Sequence, residues 1–299
     1  MVRSVLFIAL AVLVVLAAMA MFTRPSSIEL FNAVMLHDRG ALRVAADVAY
    51  GGGEKRKLDV YVPAGTVEDA PVLVYFYGGG WNSGTRKGYE FLGRAFASRG
   101  IVTVIPDYRP HPEGRYPGFL EDSAAAVAWV QDQIGDYGGD PSRIFLAGHS
   151  AGAYNAAMLA MDNRWLQGAG AAREAIAGWL GLAGPYDFLP LDVEASIRTF
   201  SHVNDLPSTQ PINHASEGDP PAFIANGYDD TIVGKHHVER LSAKFGPLGI
   251  QHTPRIYDGI EHFWIMLSIA RPLRWRLGVF NEMVGFILDG PDRLGASST

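Results

Sequence analysis

Three residues far apart in the chain have the types and settings needed to make a hydroxyl nucleophilic: Ser150, Asp230 and His262. Ser150 lies in Gly148-His149-Ser150-Ala151-Gly152, a G-x-S-x-G pattern. The pattern follows the β-type run Ile144-Phe145-Leu146-Ala147 and opens a small-residue stretch, Ala151 to Met161, that reads as a helix. Strand, tight turn and helix form the setting in which a serine is lifted out of a sheet edge, and the turn tolerates only small neighbours. Gly148, Ala151 and Gly152 meet that demand. A plain strand-to-helix turn capped by Ser150 is the simpler alternative.

A serine hydroxyl attacks a carbonyl only when a base takes its proton. His262 follows the apolar run Gln251 to Tyr257 in the loop Asp258-Gly259-Ile260-Glu261-His262. Of nine histidines it alone lies in a loop after the final strand-like segment. His149 is expected to pack at the turn, and His111 and His214 fall in polar loops. His236 and His237 are expected on a helix surface, pointing apart and so making a poor metal pair. A carboxylate must orient His262, and Asn226-Gly227-Tyr228-Asp229-Asp230-Thr231 follows the run Pro221 to Asn226. Asp230 leads directly into Thr231-Ile232-Val233 and is the favoured partner, with Asp229 and Asp258 as competitors that would hold loop backbone instead.

Negative charge developing on a carbonyl oxygen needs donors already in place. Gly78-Gly79-Gly80-Trp81 comes directly after the apolar run ending at Tyr77. Glycines let backbone N–H groups turn into a cleft with no Cβ in the way. The N–H groups of Gly79, Gly80 and Ala151 are therefore expected to form an oxyanion hole. A glycine turn with no chemistry is the alternative, whereas the two phosphate-binding glycine patterns are absent from this stretch. Trp81, Tyr108, Tyr154 and Phe263 are candidate pocket walls, although aromatic residues near a sheet edge also serve as core.

Runs of β type, 42–48, 57–62, 71–77, 101–105, 143–147, 176–182, 221–226 and 251–257, must position these groups. Helical patterns alternate with them at 86–99, 117–134, 151–161 and 233–245, and 262–289 reads as mostly helical. Such alternation predicts a mainly parallel sheet with helices on both faces. It fails between Gly184 and Asp219, where polar residues and prolines gather. That stretch, about 184–219, is expected to be a cap inserted over the carboxyl edge of the sheet. Residues 42–299 then form one catalytic domain, with 25–41 as a connector holding a short amphipathic piece.

Of the 299 residues, 48% are hydrophobic and 19% charged, and the net charge is −6. No basic stripe is present to meet a phosphate backbone, which speaks against a nucleic-acid partner. The absence of cysteine removes thiolate chemistry, thiolate metal sites and disulfides. Between Arg3 and Arg24, Val5 to Phe22 is entirely apolar. Residues 1–24 are expected to be a signal peptide or an N-terminal membrane anchor. Either places the catalytic domain outside the cytoplasm, secreted or periplasmic if cleaved, and with membrane contact through this segment if uncleaved.

The chain resembles the carboxylesterases of the α/β-hydrolase family, in the hormone-sensitive-lipase and acetylesterase/feruloyl-esterase-like branch. It is also similar to isoprenylcysteine methylesterases and kynurenine formamidases. The resemblance rests on Leu58-Asp59-Val60-Tyr61, Tyr77-Gly78-Gly79-Gly80-Trp81, Asp107-Tyr108-Arg109 and Gly139-Asp140-Pro141, together with the segments around Ser150, Asp230 and His262. It implies an eight-stranded, mostly parallel sheet, no cofactor and no metal. It further implies Ser150 as nucleophile, His262 as general base then acid, and Asp230 as its partner. The expected substrate is a small-molecule ester, with an aryl formamide or other amide as the alternative; a catalytically silent fold used for binding is the alternative of another class. The family usually carries His where Tyr77 stands, so this chain must brace its glycine loop differently or hold it more loosely.

Overall fold

The computed structural model describes residues 26–290. The apolar stretch 5–22, and with it the expectation of a signal or anchor, lies outside the described residues. Among those described, no helix is long and apolar enough to cross a membrane.

Eight strands build the sheet: β1 (Ala41–Ala49), β2 (Lys57–Pro63), β3 (Ala70–Phe76), β4 (Val102–Pro106), β5 (Gly139–His149), β6 (Ile176–Leu182), β7 (Ala222–Gly227) and β8 (His252–Tyr257). Their order is β1-β2-β4-β3-β5-β6-β7-β8. β1 and β2 run antiparallel to their neighbours, and all later pairs are parallel. This is the eight-stranded α/β architecture expected from the alternation and the resemblance.

The helices are α1 (Ser27–Val34), α2 (Glu90–Ala97), α3 (Gly118–Gln133), α4 (Ala151–Met161), α5 (Arg164–Gly168), α6 (Glu194–Phe200), α7 (His236–Phe245), α8 (Trp264–Leu267) and α9 (Val279–Asp289). Every residue of β3 is buried, as a strand covered on both faces requires. Alternate residues serve two cores: Leu73, Tyr75 and Tyr77 pack with residues of α2 and α9. Val72, Val74 and Phe76 pack with Ala124 and Val127 of α3 and Leu241 of α7.

Several boundaries differ from the sequence reading for physical reasons. α7 begins at His236 rather than Val233 because Oδ1 of Asp230 accepts the N–H groups of Ile232 and Val233, at 2.9 Å each, and holds them in a loop. The segment 262–289 is broken into α8, a 3₁₀ stretch Arg271–Arg276 and α9, with Pro272 unable to continue an α-helical ladder. Residues 184–219, which showed no period, contain α6 and two short 3₁₀ turns. α5 was not foreseen either. The stretch 25–41 carries α1, which is docked on the domain. Phe31 packs edge-on against Phe91 with ring centroids 5.2 Å apart, and Asn32 Oδ1 accepts the N–H of Phe91 at 2.9 Å.

Candidate active site

The parallel strands direct their carboxyl ends to one edge, and the candidate groups arrive there on separate loops. β5 ends at His149 and α4 starts at Ala151, leaving Ser150 alone in the turn with φ 55 and ψ −123. A non-glycine residue with positive φ costs on the order of 1–3 kcal/mol and persists only where its surroundings enforce it. Here the enforcement is visible. The Ser150 N–H bonds to the Leu182 carbonyl at 2.8 Å, and the Ser150 carbonyl accepts from Tyr154 N–H at 3.1 Å. A Cβ on Gly148 would lie 2.2 Å from the Gly152 backbone, and one on Gly152 would lie 2.0 Å from the Phe76 carbonyl oxygen. Both glycines are required by close backbone approach.

His262 lies between the other two predicted residues. Its Nε2 is 3.0 Å from Ser150 Oγ, and its Nδ1 is 2.7 Å from Asp230 Oδ2. The structure brings these three together. Burial alone would raise the Asp230 pKa, but the hydrogen bond from His262, the N–H groups of Val233 and Ile232 and the His262 charge outweigh it. The carboxyl is held below its ordinary range and stays ionised. Asp229 and Asp258 are both exposed, and the carboxylate within hydrogen-bond distance of His262 is that of Asp230. Asn226, which sequence reasoning missed, pins the acid loop. Its Nδ2 donates to the Val233 carbonyl at 2.7 Å and its Oδ1 accepts the Gly227 N–H at 2.8 Å.

Gly79 and Gly80 have φ of 132 and 58, so their N–H groups follow a path closed to most residues. Ala151 is the first residue of α4, and its N–H has no helical partner. Gly80, Ala151, Ser150 and Trp81 line one cavity of about 530 Å³. The stretch 184–219 supplies a wall of it, from Pro185 through Leu189 and Val193 to Ser196, and the stretch Thr231 to Arg240 supplies another.

Of the four candidate pocket aromatics, only Trp81 lines this cavity. Tyr154 is a correction: it is fully buried behind Trp81, edge-on to it at 5.2 Å, with its hydroxyl donating to the Thr209 carbonyl at 2.7 Å. Tyr108 is likewise buried. Phe263 is 57% exposed and stands outside the cavity beside the His262 ring, at 5.1 Å. His237 is a further correction. It is buried rather than on a helix surface, and its ring centroid lies 4.1 Å from that of His236 instead of pointing away. Its Nδ1 accepts the N–H groups of Tyr186 and Asp187 at 3.3 and 3.2 Å, tying α7 to the start of the insertion. No group of three or more His, Asp or Glu suited to holding a metal occurs among the described residues.

Behind the glycine loop lies a buried charge cluster that no local pattern announced. Arg86 donates to Asp59 at 2.9 Å and also to Asp107 and Asp47. Tyr77 Oη donates to Asp107 Oδ1 at 2.9 Å, and Tyr108 Oη donates to the Tyr77 carbonyl at 2.8 Å. The phenol thus anchors the strand end that carries the glycines.

With this geometry in view, the chain matches the BD-FAE family over residues 58–245. The chain belongs to the BD-FAE family. A probable isoprenylcysteine alpha-carbonyl methylesterase of Oryza sativa subsp. japonica is 35% identical over 278 residues, covering 84% of this chain and 64% of that protein. A carboxylesterase of Mycobacterium tuberculosis is 30% identical over 246 residues, covering 75% and 76%. The chain spans 58% and 64% of the lengths of the Arabidopsis thaliana and Oryza sativa methylesterases it matches. Esterase B from Lactobacillus rhamnosis superposes with a TM-score of 0.77 at 17% identity, covering 95% of this chain and 96% of that one. That likeness is one of fold. The BD-FAE match takes in the glycine loop, Ser150 and Asp230, and stops at the end of α7, before His262.

Proposed function

We propose that this protein hydrolyses carboxylic esters by acyl transfer through Ser150. The observation that carries the reading is the His262 imidazole, bridging Ser150 Oγ at 3.0 Å and Asp230 Oδ2 at 2.7 Å. As Ser150 attacks the carbonyl carbon, His262 Nε2 takes the hydroxyl proton, and Asp230 stabilises the imidazolium and fixes its orientation. The Gly79, Gly80 and Ala151 N–H groups receive the negative charge of the tetrahedral intermediate. His262 then returns the proton to the departing alcohol, leaving an acyl-serine. Water repeats the sequence to free the acid and the enzyme.

The cavity beside Ser150 is mostly apolar, with Trp81, Phe188, Leu189, Pro190, Val193 and Ile232 in its walls. That lining suits a small or medium acyl group. The names of the relatives, a carboxylesterase and a probable methylesterase, support the same reaction class. The uncharged stretch between Arg3 and Arg24 supports work outside the cytoplasm; fractionation of the full chain with an alkaline wash tests this.

Labelling with a fluorophosphonate, alongside turnover of p-nitrophenyl esters and aryl formamides, tests the catalytic reading. Label and ester turnover are expected in the parent protein and absent from Ser150→Ala. Labelling that survives the substitution would overturn the assignment, and faster turnover of formamides would overturn the ester preference.

A further inference from the structure

On the α2–α9 face of the sheet, an aromatic and basic turn meets the end of the N-terminal helix. Arg274, in the 3₁₀ stretch Arg271–Arg276, grips Asp38 with two hydrogen bonds of 2.9 and 2.6 Å. The neighbour of Arg274 on one side, Trp275, is 83% exposed and is the most exposed large hydrophobic residue among those described. The neighbours of Asp38 include Leu36 at 68% exposure, and Val34 stands at 48%. Arg39, Arg271 and Arg276 are exposed around them and make no ion pair with a carboxylate among the described residues. Asp38 is already engaged by Arg274, and Glu29 by its own helix cap.

Exposed apolar side chains on two segments joined by the Arg274–Asp38 pair, with arginines beside them, have no function in packing. Their chemistry matches one surface. Tryptophan is favoured at the level of lipid headgroups, arginine is drawn to anionic headgroups, and apolar residues seat at the acyl boundary. The chain itself leads there, since α1 begins at Ser27, shortly after the apolar stretch Val5 to Phe22. We propose that Val34, Leu36 and Trp275, with Arg39, Arg271 and Arg276, form a docking face for a bilayer bearing anionic lipids. This contact is separate from any made by residues 1–24. It also bears on the site, because the turn continues from His262 through Trp264, over whose ring the Arg276 guanidinium lies at 4.8 Å. A docked face would present the His262 loop to the interface where lipophilic esters collect.

The chain has no cysteine, so single-site labelling needs no background removal. The full-length protein is prepared as Leu36→Cys, Trp275→Cys and Asp132→Cys, the last on α3 across the sheet. Each is labelled with an environment-sensitive fluorophore and mixed with vesicles of phosphatidylcholine alone or with phosphatidylglycerol, part of the lipid brominated. Bromine quenching at least twofold stronger at 36 and 275 than at 132 is expected. It should depend on phosphatidylglycerol and fall severalfold in Arg271→Gln/Arg276→Gln. Equal quenching at all three sites, or quenching indifferent to lipid charge and to the arginines, would overturn the proposal. Labels at 36 and 275 shielded from water in a concentration-dependent dimer and untouched by bromine would assign the face to a second copy and overturn it too.

Discussion

Nε2 of His149 donates a hydrogen bond to the carbonyl oxygen of His262 at 2.8 Å. A carbonyl only accepts, so the proton is on Nε2 of His149. Burial, with the adjacent His262 second, pulls the His149 pKa down to about 3, and the ring is neutral. The residue before Ser150 therefore holds the backbone of His262, and two loops 113 positions apart in sequence are joined directly.

Asp230→Asn should abolish most activity while leaving the fold intact. The amide offers Nδ1 of His262 a donor as readily as an acceptor, which favours the wrong tautomer. A fall in kcat of about 10³–10⁴-fold with little change in KM is expected. Steady-state kinetics on p-nitrophenyl esters checks it, and a loss under tenfold would count against Asp230 as the orienting acid.

Gly152→Ala should fail at folding rather than at chemistry. The new Cβ would lie 2.0 Å from the Phe76 carbonyl oxygen and 2.5 Å from its carbon, both backbone atoms. Overpacking of flexible sites costs about 1–3 kcal/mol, and a rigid strand end gives less relief. Thermal unfolding should show a markedly lowered Tm or no soluble protein. A parent-like Tm would mean that the turn is looser than described.

Tyr77→Phe tests the brace behind the glycine loop. It removes the buried hydrogen bond that Tyr77 Oη donates to Asp107, worth about 1.5–3 kcal/mol, and the longer one it accepts from the Tyr108 N–H at 3.4 Å. If part of that is felt at the donors of Gly79 and Gly80, kcat should drop by up to about tenfold with KM nearly unchanged. Unchanged turnover would dismiss the idea that the phenol replaces the family's usual histidine.

Acid should destabilise the protein between pH 6.5 and 4. Burial lowers the pKa of His149 to about 3 and of His237 to about 4, in the second case helped by the His236 charge. An unfolded histidine titrates near 6.5. Below that value the unfolded chain binds protons the folded one refuses, and each group costs about 1.4 kcal/mol per pH unit. The depressed Asp230 carboxyl loses its contribution only at still lower pH. Calorimetry from pH 7 to 4.5 should show a falling Tm, with a shallower fall in His237→Gln. Equal slopes for variant and parent would sink this account.

The sequence carried the reacting groups because each sits in a local pattern whose reason is local. Gly148 and Gly152 are small where an added Cβ would lie about 2 Å from neighbouring backbone, and Asp230 begins the loop it caps. Two other features were hidden. Arg86, Asp59 and Asp107 meet only through tertiary packing, so no spacing signals their cluster. The cavity wall from Pro185 to Ser196 has no apolar period to read, and the burial of Tyr154 and His237 followed from that unseen packing.

One wall of the cavity, from Pro185 to Ser196, lies apart in the chain from the loops that bear Ser150, Asp230 and His262. Substitutions at Leu189 or Val193 are therefore expected to reshape the cavity without disturbing the contacts among Ser150, His262 and Asp230. On the proposed reading, selectivity in this scaffold is free to drift while the reaction stays fixed.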